Sequence, residues 1–171
     1  MKGYIHVYTG NGKGKTTAAF GLALRAVGAG KKVFFAQFVK GKMYAEIEAV
    51  QKYLPAITIK QYGHDCFIIN EHKKKDIDAA RKGLMEIARI IQSDVYDMIV
   101  LDEADIAIYY NLFSSQELID IIHNRKETTE IIITGRYATP DIIEIADLVT
   151  EMREIKHYYT KGVEARKGIE F

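Results

Sequence analysis

Gly10-Asn11-Gly12-Lys13-Gly14-Lys15-Thr16-Thr17 follows directly on a strand-like run, Tyr4-Ile5-His6-Val7-Tyr8, and leads into an alanine- and leucine-rich stretch over 16–29 that reads as a helix. Strand, glycine-rich turn, Lys-Thr and helix, in that order, describe a cradle for the phosphates of a nucleoside triphosphate. Glycines let successive backbone N–H groups turn inward around anionic oxygens, and the new helix adds its positive end. In such a cradle Lys15 reaches the outer phosphates and Thr16 offers its hydroxyl to magnesium, with Gly10, Asn11, Gly12, Lys13, Gly14 and Thr17 completing the wall. Lys13 is equally readable as a solvated loop lysine. One position departs from the usual P-loop spacing: five residues before Gly14, where a glycine is expected, stands Thr9. Gly10 and Gly12 are then expected to supply the flexibility.

The rest of the chain alternates between the two periodicities. Strands are expected at 4–8, 32–38, 57–62, 97–102, 130–134 and 148–155. Helices are expected at 45–54, from Asn70 to about Ser93, from Ser114 to Arg125 and from Thr139 onward. Ser114 and Glu117 form a capping-box pair, and Thr139-Pro140 reads as a cap followed by a first-turn proline. Strands separated by helices argue for an α/β fold, a mostly parallel sheet with helices on both faces, in one domain over 1–171. Ligands of such sheets bind at the carboxyl ends of the strands.

Three further strand ends carry chemistry. Ile99-Val100-Leu101-Asp102-Glu103 sets two acids after an apolar strand, where carboxylates hold magnesium directly or through water. The plainer alternative is that one of them caps a helix beginning near Ala104. Ile133-Thr134-Gly135-Arg136 allows close backbone approach at Gly135 and offers the planar fork of Arg136 to phosphate. Phe38-Val39-Lys40-Gly41 presents Lys40, open to a phosphate, a ribose or a substrate carboxamide, or else solvated. His64-Asp65-Cys66 lacks the further ligands and spacing of a zinc site, and its loop reads better as one wall of a substrate pocket. The stretch 156–171 has no clean period, and its aromatic and apolar residues argue for docking on the body.

Composition sets limits. With 48% hydrophobic residues over 171, one sizeable core is possible. A net charge of +1 gives no bulk attraction to nucleic acid or an anionic membrane. A single cysteine, Cys66, allows no internal disulfide and fits a reducing cytoplasmic setting. No apolar run approaches a membrane span, and none at the N-terminus reads as a leader.

Taken together, Gly10 to Gly21, Gln37-Phe38-Val39-Lys40-Gly41, Leu101-Asp102-Glu103, Ile133 to Arg136, Ala146 to Met152, Lys156-His157 and Gly168-Ile169-Glu170 resemble the P-loop ATP:cob(I)alamin (corrinoid) adenosyltransferases, in that family's order and spacing across nearly the whole chain. The resemblance implies a RecA-like P-loop fold, a homodimer, and ATP with magnesium, for which manganese substitutes. The implied reaction moves the 5′-deoxyadenosyl group of ATP to cobalt(I) of a corrinoid and releases triphosphate whole. Lys15, Glu103 and Arg136 are then the catalytic candidates, Thr16, Asp102 and Glu103 the metal ligands, and Lys40 and Phe67 substrate contacts. A reduced flavoprotein is the implied electron donor, and bulky apolar side chains displace the lower axial ligand of cobalt(II). After Gly63, family members carry Phe-Thr-Trp, whereas this chain has His64-Asp65-Cys66-Phe67 and no tryptophan. Phe67 is therefore the aromatic expected to take over part of that role. Two other classes remain compatible with the residues: a P-loop ATPase or kinase with Glu103 positioning water, and a non-catalytic ATP-gated corrinoid carrier.

Overall fold

A computed structural model describes residues 2–42, 44–63 and 74–171. The strands are β1 (Ile5–Thr9), β2 (Val33–Phe38), β3 (Ile57–Tyr62), β4 (Met98–Asp102), β5 (Glu130–Thr134) and β6 (Leu148–Glu151). They form one sheet in the order β3-β2-β4-β5-β1-β6, and every pairing is parallel. The helices are α1 (Lys15–Gly28), α2 (Ala45–Tyr53), α3 (Lys74–Gln92), α4 (Ala104–Tyr109), α5 (Ser115–His123) and α6 (Pro140–Glu144), followed by a 3₁₀ turn at Tyr158–Lys161.

Crossover handedness decides which helix lies on which face. From β1 to β2 to β3 the chain moves toward one edge of the sheet, and from β3 onward it steps back through β4 and β5 to β6. Right-handed crossovers put helices of opposite travel on opposite faces. Accordingly Ala19, Ala23 and Ala26 of α1 and Val50 of α2 pack with Val33, Phe35, Met98, Val100 and Ile132. Residues of α3 to α6 pack on the other face with Phe34, Ala36, Phe38, Ile99, Leu101, Ile131 and Ile133. The two-residue alternation along β2, β4 and β5 feeds both cores, which is why these strands read as unbroken apolar runs. On the α1 face, Phe20 stacks on Phe35 with ring centroids 4.0 Å apart.

Boundaries follow local chemistry. Ser114 caps α5 through a reciprocal capping box with Glu117. Pro140 opens α6, but Thr139 makes no side-chain capping bond there. The expected strand at 148–155 ends at Glu151, because the chain turns inward to bond the glycine-rich loop: Met152 N donates to Thr9 O at 2.8 Å and Gly12 N donates to Met152 O at 2.7 Å. The 156–171 stretch does dock, through polar groups and through Phe171, whose ring centroid lies 6.3 Å from that of Tyr44, while Tyr159 and Ile169 stay exposed.

Candidate functional site

β5 lies between β1 and β4, so the glycine-rich loop, Thr134-Gly135-Arg136 and Asp102-Glu103 end side by side at one rim of the sheet. The loop needs its first two glycines for different reasons. Gly10 has φ +98, and a Cβ there would stand 2.5 Å from Met152 O. At Gly12 a Cβ would stand 2.7 Å from the same carbonyl, so close approach is what requires glycine there. Thr9 is the last residue of β1, and its carbonyl is tied to Met152. The flexibility expected at position 9 is thus displaced to Gly10.

Helix α1 begins at Lys15 with no side-chain cap and no acid in its first turn, which leaves its positive end facing the loop. The Lys15 ammonium folds back onto the loop, donating to Gly10 O at 2.7 Å and Gly12 O at 2.8 Å. Burial lowers its pKa; the carboxylates of Glu103 and Asp102 oppose that effect, and Arg136 adds to it. Asn11 and Thr17 are exposed at the rim.

Asp102 is fully buried, and its carboxylate accepts from four side chains. Oδ1 receives the hydroxyls of Thr16 (2.8 Å) and Thr134 (2.7 Å). Oδ2 receives Nε2 of Gln37 (3.1 Å) and Nζ of Lys40 (2.9 Å). The Thr16 bond joins the phosphate loop directly to the end of β4. Lys40 also lies 3.2 Å from Thr16 Oγ1 and 3.7 Å from Glu103 Oε1. Burial works against its charge, yet attraction to Asp102 and then Glu103, with the Asp102 hydrogen bond, raises its pKa to about 12.

Glu103 does not cap α4 with its side chain. It sits at the N-cap position in the left-handed region at φ 59, and its N–H donates to Thr134 Oγ1 at 3.1 Å. Such a conformation in a non-glycine residue is stored strain, of the kind that gathers at functional sites. Its pKa is raised, first by burial and then by Asp102. Arg136 is exposed at the rim, where its charge acts on both Lys15 and Glu103.

Lys13 serves as a tie. Its ammonium donates to Glu170 Oε1 and to Ile169 O, both at 2.9 Å, and lies 3.4 Å from the Tyr158 hydroxyl. Glu170 also bonds Tyr158 and Arg166, and these three partners hold its carboxyl well below the usual range. The 156–171 segment is thereby fastened to the phosphate loop. Phe67 and the His64-Asp65-Cys66 run lie outside the described residues.

Three participants escape sequence reasoning. Gln37 is a lone polar residue in Val33-Phe34-Phe35-Ala36-Gln37-Phe38, and the parallel register sets it beside Asp102. Thr134 bridges Asp102 and Glu103. Asp105 is about 1% exposed, and neither carboxylate oxygen has a hydrogen-bond partner among the described residues. The signal for Gln37 was its polarity within a buried strand; nothing local marks Asp105.

Among the described residues, no three His, Cys, Asp or Glu side chains cluster as a metal set. A divalent ion here would rest on Thr16, Asp102 and Glu103 and complete its shell from water and phosphate. That hard-oxygen donor set suits magnesium. No described helix is long and apolar enough to cross a membrane.

Comparison with known proteins agrees with this geometry. A family model described as ATP:corrinoid adenosyltransferase BtuR/CobO/CobP matches residues 1–171. A corrinoid adenosyltransferase of Escherichia coli K12 is 37% identical over 171 residues, covering 99% of this chain and 86% of the relative. Corrinoid adenosyltransferases of a Sinorhizobium species (35% over 173 residues; 99% and 81%) and Pseudomonas aeruginosa (34% over 171 residues; 99% and 84%) are similar in extent. A full-length family match, together with a phosphate loop bonded to a buried strand-end aspartate, places the chain in the ATP:corrinoid adenosyltransferase family.

Proposed function

We propose that this protein transfers the 5′-deoxyadenosyl group of ATP to cobalt(I) of a corrinoid, with triphosphate as the leaving group. The cobalt(I) electron pair forms the bond to C5′, the C5′–O5′ bond breaks, and its pair stays on the triphosphate. The observation that carries this reading is the meeting at the phosphate loop of Lys15, whose ammonium lies on the carbonyls of Gly10 and Gly12, with its neighbour Thr16, whose hydroxyl donates to Asp102. Because the metal of the corrinoid is the nucleophile, the protein has to hold two substrates in line and stabilise charge on the departing group.

In this reading the loop from Gly10 to Thr17 wraps the triphosphate, and Lys15 leaves the carbonyls of Gly10 and Gly12 for phosphate oxygens. Arg136 adds a second positive charge from the rim. Magnesium, held by Thr16, Asp102 and Glu103, would neutralise phosphate charge. Manganese is an expected substitute. Lys40 contributes a further cation, and Lys13, held by the 156–171 segment, fixes the outer wall.

We assign Phe67 to the lower face of the corrinoid, where it helps displace the axial ligand so that a reduced flavoprotein can reduce cobalt(II). We also assign the protein to the cytoplasm as a homodimer, on the family resemblance.

The test is incubation with ATP, magnesium and chemically reduced cobalamin, followed by analysis of the corrinoid. Light-sensitive adenosylcobalamin supports the proposal. Phosphate release without corrinoid would mark an ATPase, and binding of both substrates without turnover would mark a carrier.

A further inference from the structure

The Lys40 ammonium stands within 3.7 Å of the three oxygens offered to a divalent ion: Asp102 Oδ2 at 2.9 Å, Thr16 Oγ1 at 3.2 Å and Glu103 Oε1 at 3.7 Å. Magnesium needs oxygens at about 2.0–2.1 Å and six of them. An ammonium and a magnesium ion cannot both occupy that point.

The backbone beneath Lys40 is committed to this placement. Val39 has φ 63, a left-handed conformation that a β-branched residue adopts only when its surroundings impose it. Gly63, just past β3, presses against this turn: a Cβ there would lie 2.6 Å from Val39 C and 2.7 Å from Lys40 N. The turn is thus clamped at its base, and the four-carbon stem of Lys40 is the part free to pivot. The charges match as well. Asp102 and Glu103 are adjacent carboxylates in a largely dry site, and one fixed ammonium relieves their repulsion.

We propose that Lys40 is a built-in cation that holds the metal position between Thr16 and Asp102 and yields it only when a triphosphate supplies replacement oxygens for its ammonium, so that the divalent ion enters with the nucleotide and not before it. This inference rests on the reading of Thr16, Asp102 and Glu103 as the metal site. The metal replaces the ammonium at the carboxylates, while the ammonium moves to the phosphates and remains in the site; the two positive charges that enter with the ion are offset by the negative charge of the triphosphate that enters with it. Lys40 is therefore a positioning residue that sets the order of binding. A merely structural ion pair would give no such order.

Manganese binding, followed by electron paramagnetic resonance on the full chain, tests it. In wild type, manganese is expected to bind the nucleotide-free protein at least tenfold more weakly than it binds with ATP present. Lys40→Gln, which keeps a donor but loses the charge, and Lys40→Met are expected to bind manganese without nucleotide at least tenfold more tightly than wild type. Manganese is also expected to raise their melting temperatures, but not that of wild type. Equal nucleotide-free affinity in wild type and both variants overturns the proposal, as does wild-type binding that is indifferent to ATP. Asp102→Asn separates the two layers. If it weakens manganese in the ATP complex, the metal reading stands and the Lys40 result is judged alone. If it leaves that complex unchanged, the metal reading fails and takes this inference with it.

Discussion

Asp105 gives the most quantitative consequence of the structure. Its carboxyl is buried in α4 against the end of β5, and a Cβ on Gly135 would stand 2.6 Å from its own Cβ, so little space remains beside it. Neither oxygen has a partner among the described residues. Burial, then the nearby charge of Glu103, pushes its pKa from 3.8 to about 7, with Lys15 opposing. The folded protein therefore holds a proton that the unfolded chain releases near pH 4. Stability is full below that pH and falls as pH rises toward 7, where the deficit levels off. A rise of about three pH units, at 1.36 kcal/mol per unit, is a cost of about 4 kcal/mol. Asp105→Asn keeps the shape of the protonated acid and cannot ionise. In nucleotide-free protein the variant should be more stable than wild type by about 1 kcal/mol at pH 4.5 and by about 4 kcal/mol at pH 8. At roughly 2–4 °C per kcal/mol for a domain of this size, the gap in melting temperature should widen to the order of 10 °C at pH 8. Paired thermal melts across that range measure it. A gap that stays constant with pH, or that closes as pH rises, would refute the assignment of Asp105 as a buried neutral acid.

Lys15→Ala should leave the fold intact, because its ammonium bonds only loop carbonyls, yet lower turnover by about 10²-fold or more; melting curves and adenosylation rates compared side by side check both halves. Glu103→Gly should raise stability by about 1 kcal/mol by releasing the left-handed strain at φ 59, while reducing metal-dependent turnover; denaturant unfolding alongside a magnesium titration of the rate would show whether strain is retained for function. Glu170→Gln should barely move the melting temperature, since exposed ion pairs contribute little, but should speed proteolytic cleavage within 158–171 by loosening the tie to Lys13. Unchanged cleavage would count against that segment as a strap on the loop.

The parts of this site that were legible in the sequence are those encoded at short range. Gly10 to Thr16 announced a phosphate loop because the glycines, lysine and threonine act within one strand-to-helix turn. Asp102 was legible because an acid after so apolar a strand has few other uses. The bond from Gln37 to Asp102 spans 65 residues and depends on β2 pairing with β4 in one register. Lys40 was legible as a strand-end candidate for phosphate or substrate, but its bond to Asp102 was not, since what places its ammonium is the left-handed turn at Val39 and the pressure of Gly63 upon it. The docking of 156–171 was expected from its aromatics, and Phe171 does meet Tyr44 of the body; what the sequence did not show is the polar tie from Lys13 to Glu170, whose carboxylate also gathers Tyr158 and Arg166 of its own segment. The shortening of the last strand has the same character: the carbonyls of Thr9 and Met152 draw the chain inward from a distant part of the sequence.

The central claim is that this phosphate loop grips a leaving group while bond formation occurs at the far end of ATP. Phosphorus NMR of a complete reaction with reduced corrinoid tests it most directly. The account predicts one intact triphosphate for each adenosylcorrinoid formed; adenosylcorrinoid accompanied from the outset by pyrophosphate and phosphate in its place would contradict it.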